Sequence, residues 1–247
     1  MTDPDRPGDG LRLYDEMADW VHLLSSPADY AEEAAFLLGL FRERVDGPLE
    51  TMLELGSGGG NTASHLRAAV RMTLTDLSEP MLALSRTLNP ACEHLLADMR
   101  TARLGRTFDA VLIHDAVMYM ATTGELAAAI ATAATHLRPG GAVAIAPDCV
   151  AETFSPRTNH GGHDGEGRAL RYLEWTYDPD PTDTSFVTDF AILLREGDDE
   201  VRVRYDRHVM GVFPRAVWLD LLRAAGLEPA VAPDPWSRDV FAATRPG

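Results

Sequence analysis

Four glycines fall within the eight residues ELGSGGGN, Glu54 to Asn61, directly behind the apolar pair Met52 and Leu53. A strand that ends in glycines and feeds a helix lets backbone N–H groups come close to a ligand, because missing Cβ atoms lift the steric barrier and permit positive φ. The stretch therefore predicts a strand–loop–helix unit with a binding site at the carboxyl end of its strand.

The surrounding pattern repeats that unit. A helix opens at Ser26 and Pro27, with acids in its early turns and Arg42 and Arg44 near its end. Strands LETMLEL, MTLTD, EHLLA, FDAVLIH and GAVAIAP then alternate with helices beginning at Thr62, EPMLALSRTL and GELAAAIATAATHL. Nearly continuous apolar strands separated by helices predict a parallel sheet covered on both faces, a doubly wound α/β fold. The rhythm breaks at Asp148. A loop rich in Gly and His, Thr158 to Gly167, leads to the runs RALRYLEWTYD, SFVTDFAILLRE and EVRVRYDRHVMGVF, whose partial alternation predicts an antiparallel β-meander. The meander is an insertion over about 148–213 within one domain spanning 11–247. A helix, PRAVWLDLLRAAG, and closing strands LEPAVAP and RDVFAATRP complete the chain.

Residues 1–10 are polar and rich in Pro and Gly, which predicts a disordered lead-in, unlike a signal peptide, to a cytoplasmic protein. No apolar run reaches membrane-spanning length, so no membrane partner is expected. Cys92 and Cys149 make neither a disulfide framework nor a metal set. A formal charge of −16 with scattered basic residues argues against nucleic acid as a partner.

The glycine loop alone leaves the ligand open. A phosphate-cradling loop needs Gly-Lys-Ser/Thr, and no Lys is present in it. A dinucleotide fingerprint can be fitted to Gly58, Gly60 and Ala63. The flanking residues favour another ligand: Glu54 precedes the glycines, Asp76 closes the second strand, Asp98 and Met99 follow the third, and Phe108-Asp109 opens the fourth. A carboxylate at the second strand tip can accept from both ribose hydroxyls, and Asp98 can accept from an adenine amine. An adenosine is thereby satisfied without a phosphate.

ELGSGGG, LTDLSEPML, ADMRTARLGRTFDAV and HLRPGG together resemble the successive motifs of class I S-adenosylmethionine-dependent methyltransferases over roughly residues 50 to 147. The resemblance implies a Rossmann-like sheet and S-adenosyl-L-methionine as cofactor. Gly56, Ser57 and Gly58 would pass under its methionine part and Glu54 would steady the loop. Asp76 would hold the ribose, Leu77 and Met81 the adenosine, and Asp98 with the Met99 backbone the adenine. The carbonyl of Ile113 or His114 would receive the amino group. LYDEMADW and the meander are similar to small actinomycete-type enzymes that N-methylate aminosugars or lincosamides. In that branch a first Tyr closes over the cofactor carboxylate, which makes Tyr14 the candidate. A second Tyr of the branch is missing where this chain reads Trp20-Val21-His22.

Methyl transfer from a sulfonium needs positioning and a free lone pair, and no metal. His114 is a candidate base or a wall, and Asp115 a partner or a cap. Tyr119 packs on the cofactor or in the core. Trp20, His22, Asp148, Tyr172, Glu174 and Arg207 are candidates for the small-molecule acceptor, with Trp175 pointing the other way into the core. His160 and His163, among glycines, suit a lid better than a metal site. The expected activity is N-methylation of an amine in a secondary-metabolite pathway. An oxygen acceptor and a non-catalytic S-adenosylmethionine-binding module are the alternatives, and a homo-oligomer is possible.

Overall fold

The computed structural model describes residues 11–247; the expected disordered lead-in at 1–10 lies outside the described residues. In chain order the elements are α1 (Val21–Leu24), α2 (Ala31–Arg44), β1 (Thr51–Leu55), α3 (Asn61–Leu66), β2 (Arg71–Asp76), α4 (Glu79–Leu88), β3 (Glu93–Leu96), β4 (Phe108–Ile113), α5 (Thr123–His136) and β5 (Leu137–Ile145). Then come β6 (Arg157–Gly161), β7 (Asp164–Gly165), β8 (Arg168–Tyr177), β9 (Ser185–Glu196), β10 (Arg202–Gly211), α6 (Arg215–Ala224), β11 (Glu228–Pro233) and β12 (Asp239–Thr244).

Seven strands form one sheet in the order β11-β12-β5-β4-β1-β2-β3. β1 to β5 run parallel, and β12 enters antiparallel between β5 and β11. Alternation within the strands sends Leu53, Leu55, Val111 and Ile113 to a core closed by α5 and α6. Met52, Met72, Leu74 and Leu112 face the opposite core under α2 and α3. Trp218 of α6 stacks on Phe241 of β12 with ring centroids 4.9 Å apart, locking the antiparallel strand against its covering helix. Order reverses between β1 and β4, so loops after these strands diverge and open a crevice at their carboxyl ends.

The capping serine is where the sequence places it: Ser26 Oγ accepts from Ala28 N at 3.3 Å. The first turn, Pro27–Tyr30, is a tight 3-10 turn that leads into α2. Two further expectations change. The Gly- and His-rich segment forms β6 and β7, both paired antiparallel to β8, where a loop was expected. Every β6 residue but Gly161 is exposed, so the strand carries no apolar alternation and is held by backbone pairing to β8, with Arg157 lying 4.0 Å from Glu174. The second sheet therefore runs β10-β9-β8-β6. Trp175 is also not in the core. The even-numbered residues of β8 turn inward and the odd ones outward, leaving Trp175 57% exposed beside Leu173. The inward face, with Leu170, Phe190, Ile192 and Leu194, packs on Leu13, Met17, Trp20 and Val21 of the N-terminal segment.

Candidate active site

The glycine loop needs its glycines. Gly56 has φ +74°, and a Cβ there would stand 2.5 Å from Ala116 Cβ and 2.7 Å from Met99 Cε. The N–H groups of Gly56 and Ser57 both donate to Thr75 O at 2.8 Å, which clamps the loop to the end of β2. Gly58 N donates to Asp76 Oδ2 at 2.7 Å, and Ser78 N to Asp76 Oδ1 at 2.9 Å. Asp76 is thus oriented by one bond on each oxygen, with lone pairs left on both. Met81 is buried with its Cε 3.5 Å from where a Gly58 Cβ would be, whereas Leu77 is 67% exposed at the rim.

Asp98 accepts from Arg100 Nη2 at 2.7 Å and from Arg100 N at 2.8 Å, and this guanidinium holds its pKa below the ordinary value. Glu54, 2% exposed, keeps Oε2 without a hydrogen-bond partner. Burial first, then Asp76 and Asp115, push its pKa up to about 8. An orphaned buried acceptor beside a glycine cradle fits a ligand that brings hydrogen-bond donors. Among the described residues the cradle presents no free arginine for a pyrophosphate: the chain contains no lysine, and Arg100 is spent on Asp98 and Glu125. The donor and acceptor set fits an adenosine with a charged amino-acid tail. Ile113 O already accepts from Ala146 N, and His114 O from Val117 N, so either would need its second lone pair for an amino group.

His114 follows β4 and sits between carboxylates. Its Nε2 lies 2.9 Å from Glu33 Oε1, off hydrogen-bond alignment, and its Nδ1 3.2 Å from Asp115 Oδ2. Burial opposes a charge here, but Asp115, Glu33 and Glu54 outweigh it and raise the imidazole pKa to about 9. At neutral pH such a ring is an imidazolium and has no lone pair to act as a base. Arg238, between the two closing strands, completes the cluster: it binds Glu33, reaches Asp234 Oδ2 at 2.6 Å, and lies 3.9 Å from Asp148 and 4.0 Å from Asp115. Asp148 is driven up to about 7 by burial and by Asp115.

The N-terminal segment crosses the same crevice. Ser78 Oγ donates to Tyr14 O at 2.5 Å, and Tyr14 Oη lies 3.0 Å from Tyr119 Oη. Tyr119 Oη is 2.8 Å from His208 Nδ1, and His208 Nε2 is 3.0 Å from Asp206 Oδ2. His22 follows the same segment, with Nε2 3.2 Å from Gly59 O.

Tyr14, His22, Tyr119, Asp115 and Asp148 are thus gathered with the cofactor-loop residues, and Tyr172 and Glu174 face inward on β8. Four expected residues are elsewhere. Trp20 is buried beneath Arg168, whose guanidinium sits 3.7 Å from the ring centroid, because the inner sheet face needs it as packing. Arg207 points outward onto Asp189, because it is the odd neighbour of inward Asp206 and His208. His160 pairs with outward Leu173, and His163 N donates to Leu23 O. Among the described residues no group of three or more His, Cys, Asp or Glu is placed to hold a metal. His208, expected beside Arg207 on one face of the meander, instead faces inward while Arg207 faces out, and Glu33, Asp206 and Arg238 are site residues not named from the sequence. An acid on the apolar face of α2 points to Glu33 and the Asp-x-His spacing on a strand points to Asp206; for Arg238 there is no such signal.

A family model described as a methyltransferase domain matches residues 52–141. The chain is 39% identical over 129 residues to the dTDP-3-amino-3,4,6-trideoxy-alpha-D-glucopyranose N,N-dimethyltransferase of Streptomyces venezuelae, a match that spans about half that relative, 54% of its length and 51% of this chain. It is 30% identical over 183 residues to the dTDP-3-amino-3,6-dideoxy-alpha-D-glucopyranose N,N-dimethyltransferase of Streptomyces fradiae, covering 67% of this chain and 71% of that one. Among solved structures, DesVI of Streptomyces venezuelae superposes with a TM-score of 0.85 at 29% identity over 94% of this chain and 98% of its own. The sugar N-methyltransferase KedS8 from Streptoalloteichus superposes with a TM-score of 0.84 at 28% identity, covering 100% and 98%.

Proposed function

Because the chain belongs to the S-adenosylmethionine-dependent methyltransferases, in the family of the dTDP-aminosugar N,N-dimethyltransferases, we propose that it methylates the amine of a nucleotide-linked aminosugar. The observation that carries this reading is the extent of the likeness to DesVI. It covers 94% of the chain and so extends well beyond the cofactor half into the second sheet.

When bound, S-adenosylmethionine supplies a methyl group on a positively charged sulphur. Glu54 would offer its free oxygen to the cofactor's donors, Asp76 would take the ribose hydroxyls on the lone pairs left by Gly58 and Ser78, and Asp98 with the Met99 backbone would meet the adenine. Asp115 and Asp148 line one end of the crevice; burial raises both pKa values, and a protonated amine placed beside them would favour their ionised forms and be held there. Tyr14 and its segment cover the site and exclude water. Positioning then supplies most of the rate. His114, held as an imidazolium, serves as a wall and counter-charge, which disfavours a hydroxyl acceptor that would need it as a base.

The test is incubation with S-adenosylmethionine and a dTDP-3-amino-3,6-dideoxyhexose, followed by mass spectrometry. A gain of one or two methylene units with matching S-adenosylhomocysteine is expected. Calorimetric binding of S-adenosylhomocysteine without mass gain on any amine would leave only a binding module.

A further inference from the structure

The second sheet packs one face on the N-terminal segment and leaves the other in water. Odd-numbered residues of β8, β9 and β10 stand on that outer face in register, so that Trp175, Asp189 and Arg207 form one cross-strand row and Leu173, Ala191 and Tyr205 the next. Leu173, Trp175, Leu193, Val203 and Val209 are each 41–59% exposed there. They are five of the nine large apolar side chains left exposed among the described residues, so apolar surface is gathered on this face rather than scattered. Trp175 lies against Tyr177 with ring centroids 5.0 Å apart. In the middle of the face stands one carboxylate, Asp189. Its Oδ1 accepts from Tyr205 Oη and, at 2.7 Å, from Arg207 Nε; its Oδ2 accepts from Tyr177 Oη and from Arg207 Nη2, both at 3.0 Å. Both oxygens are thereby saturated, and the charge is spent within the face.

We propose that this face is the contact between two copies of the chain, paired outer sheet to outer sheet about a two-fold axis. Charge singles out a second copy as the occupant. The chain carries a formal −16, so two copies repel over most of their surfaces. The outer positions of β8 to β10 hold one acid, Asp189, against three arginines, Arg171, Arg195 and Arg207. Arg207 neutralises Asp189, and Arg171 reaches Asp164 Oδ1 at 2.8 Å. Two copies meet here without bringing acid onto acid, whereas a basic partner would find no free carboxylate on these positions. The shape agrees, because identical sheets share one twist, the condition for aligned packing face to face. Four strands at ~4.8 Å and ten residues at ~3.3 Å give a footprint on the order of 600 Å² before side-chain relief, close to the ~800 Å² per partner of a stable interface. An aromatic pair beside a neutralised Arg–Asp pair, with acids otherwise absent, is also the composition of an interface centre.

Sedimentation velocity of the full chain at micromolar concentration is the test, and it needs no methyl acceptor. The expected species has the mass of two 26.9 kDa chains. Trp175→Glu sets an acid near the centre of the face in both copies, and Val203→Glu does so on the edge strand β10. Each variant should sediment as one chain, with far-ultraviolet circular dichroism and calorimetric affinity for S-adenosylhomocysteine as in the wild type. Both side chains already stand more than half in water, so neither change opens a cavity in the core. Should Trp175→Glu fail to fold, Val203→Glu decides alone. Raising the salt should tighten the wild-type pair, because it screens the repulsion between two acidic chains and leaves the apolar contact intact. A wild type that sediments as a single chain would overturn the proposal and leave the face to a different protein. A two-chain species that both variants retain would place the contact elsewhere on the molecule, and one that salt dissociates would rest on ion pairs; either result overturns it as well.

Discussion

At Gly56 two demands meet, a left-handed backbone and no room for a Cβ, which would run into Ala116 and Met99. Gly56→Ala should therefore cost more than the ~1–2 kcal/mol of a left-handed alanine, since the contact at 2.5 Å is with a side chain that cannot swing away. Gly39 in α2 is the contrast: nothing lies within 4 Å of its added Cβ, and Gly39→Ala should stabilise by ~1 kcal/mol. Paired urea melts check both signs. Asp76→Ala should weaken S-adenosylhomocysteine binding by ~1–3 kcal/mol through an unpaired ribose contact, read by calorimetry; unchanged affinity would remove Asp76 from the site. The sequence made Gly56 and Asp76 readable because each stands at a strand tip whose position the pattern locates. It did not make Arg238 readable, because nothing local says that an arginine near the end of the chain will meet Glu33 and Asp148.

Among the elements, the N-terminal segment depends on a single serine at its join to α4. Ser78 Oγ accepts from Met81 N at 3.2 Å as the helix cap and donates to Tyr14 O, so one hydroxyl ends a loop and fastens the segment. Ser78→Ala should lower stability by ~1 kcal/mol from the cap alone. It should also speed tryptic cleavage at Arg12, an effect that cap loss confined to α4 would not produce. β6 shows the opposite case, an element whose side chains carry no signal. Its strand exists because β8 offers an unpaired edge, a fact of tertiary placement. Trp175 illustrates a half-legible element: alternation along β8 is visible in the sequence, but which half of it turns inward depends on the N-terminal segment lying on one side.

For the whole molecule, pH couples the site to stability. Glu54 rises from 4.5 to about 8, His114 from 6.5 to about 9 and Asp148 from 3.8 to about 7 on folding. In each case the folded chain holds a proton that the unfolded chain releases sooner. Their contribution is complete below the unfolded values and is lost as pH rises through the folded ones. Thermal unfolding should thus show a Tm that falls from about pH 6 to about pH 9, with a shallower fall in His114→Gln; a flat or rising Tm would contradict the cluster. By itself the sequence determined the parallel sheet, its glycine loop, the order of strand-tip carboxylates and the existence of an inserted meander. All of these follow from local periodicity and the conformational needs of single residues. Only the tertiary structure decided which face of the meander looks inward, that His114 sits among carboxylates, and that Tyr14 and His208 share one chain of hydrogen bonds. These are contacts between residues up to 205 positions apart, such as Arg238 with Glu33, and no periodicity within a segment encodes the distance between two segments.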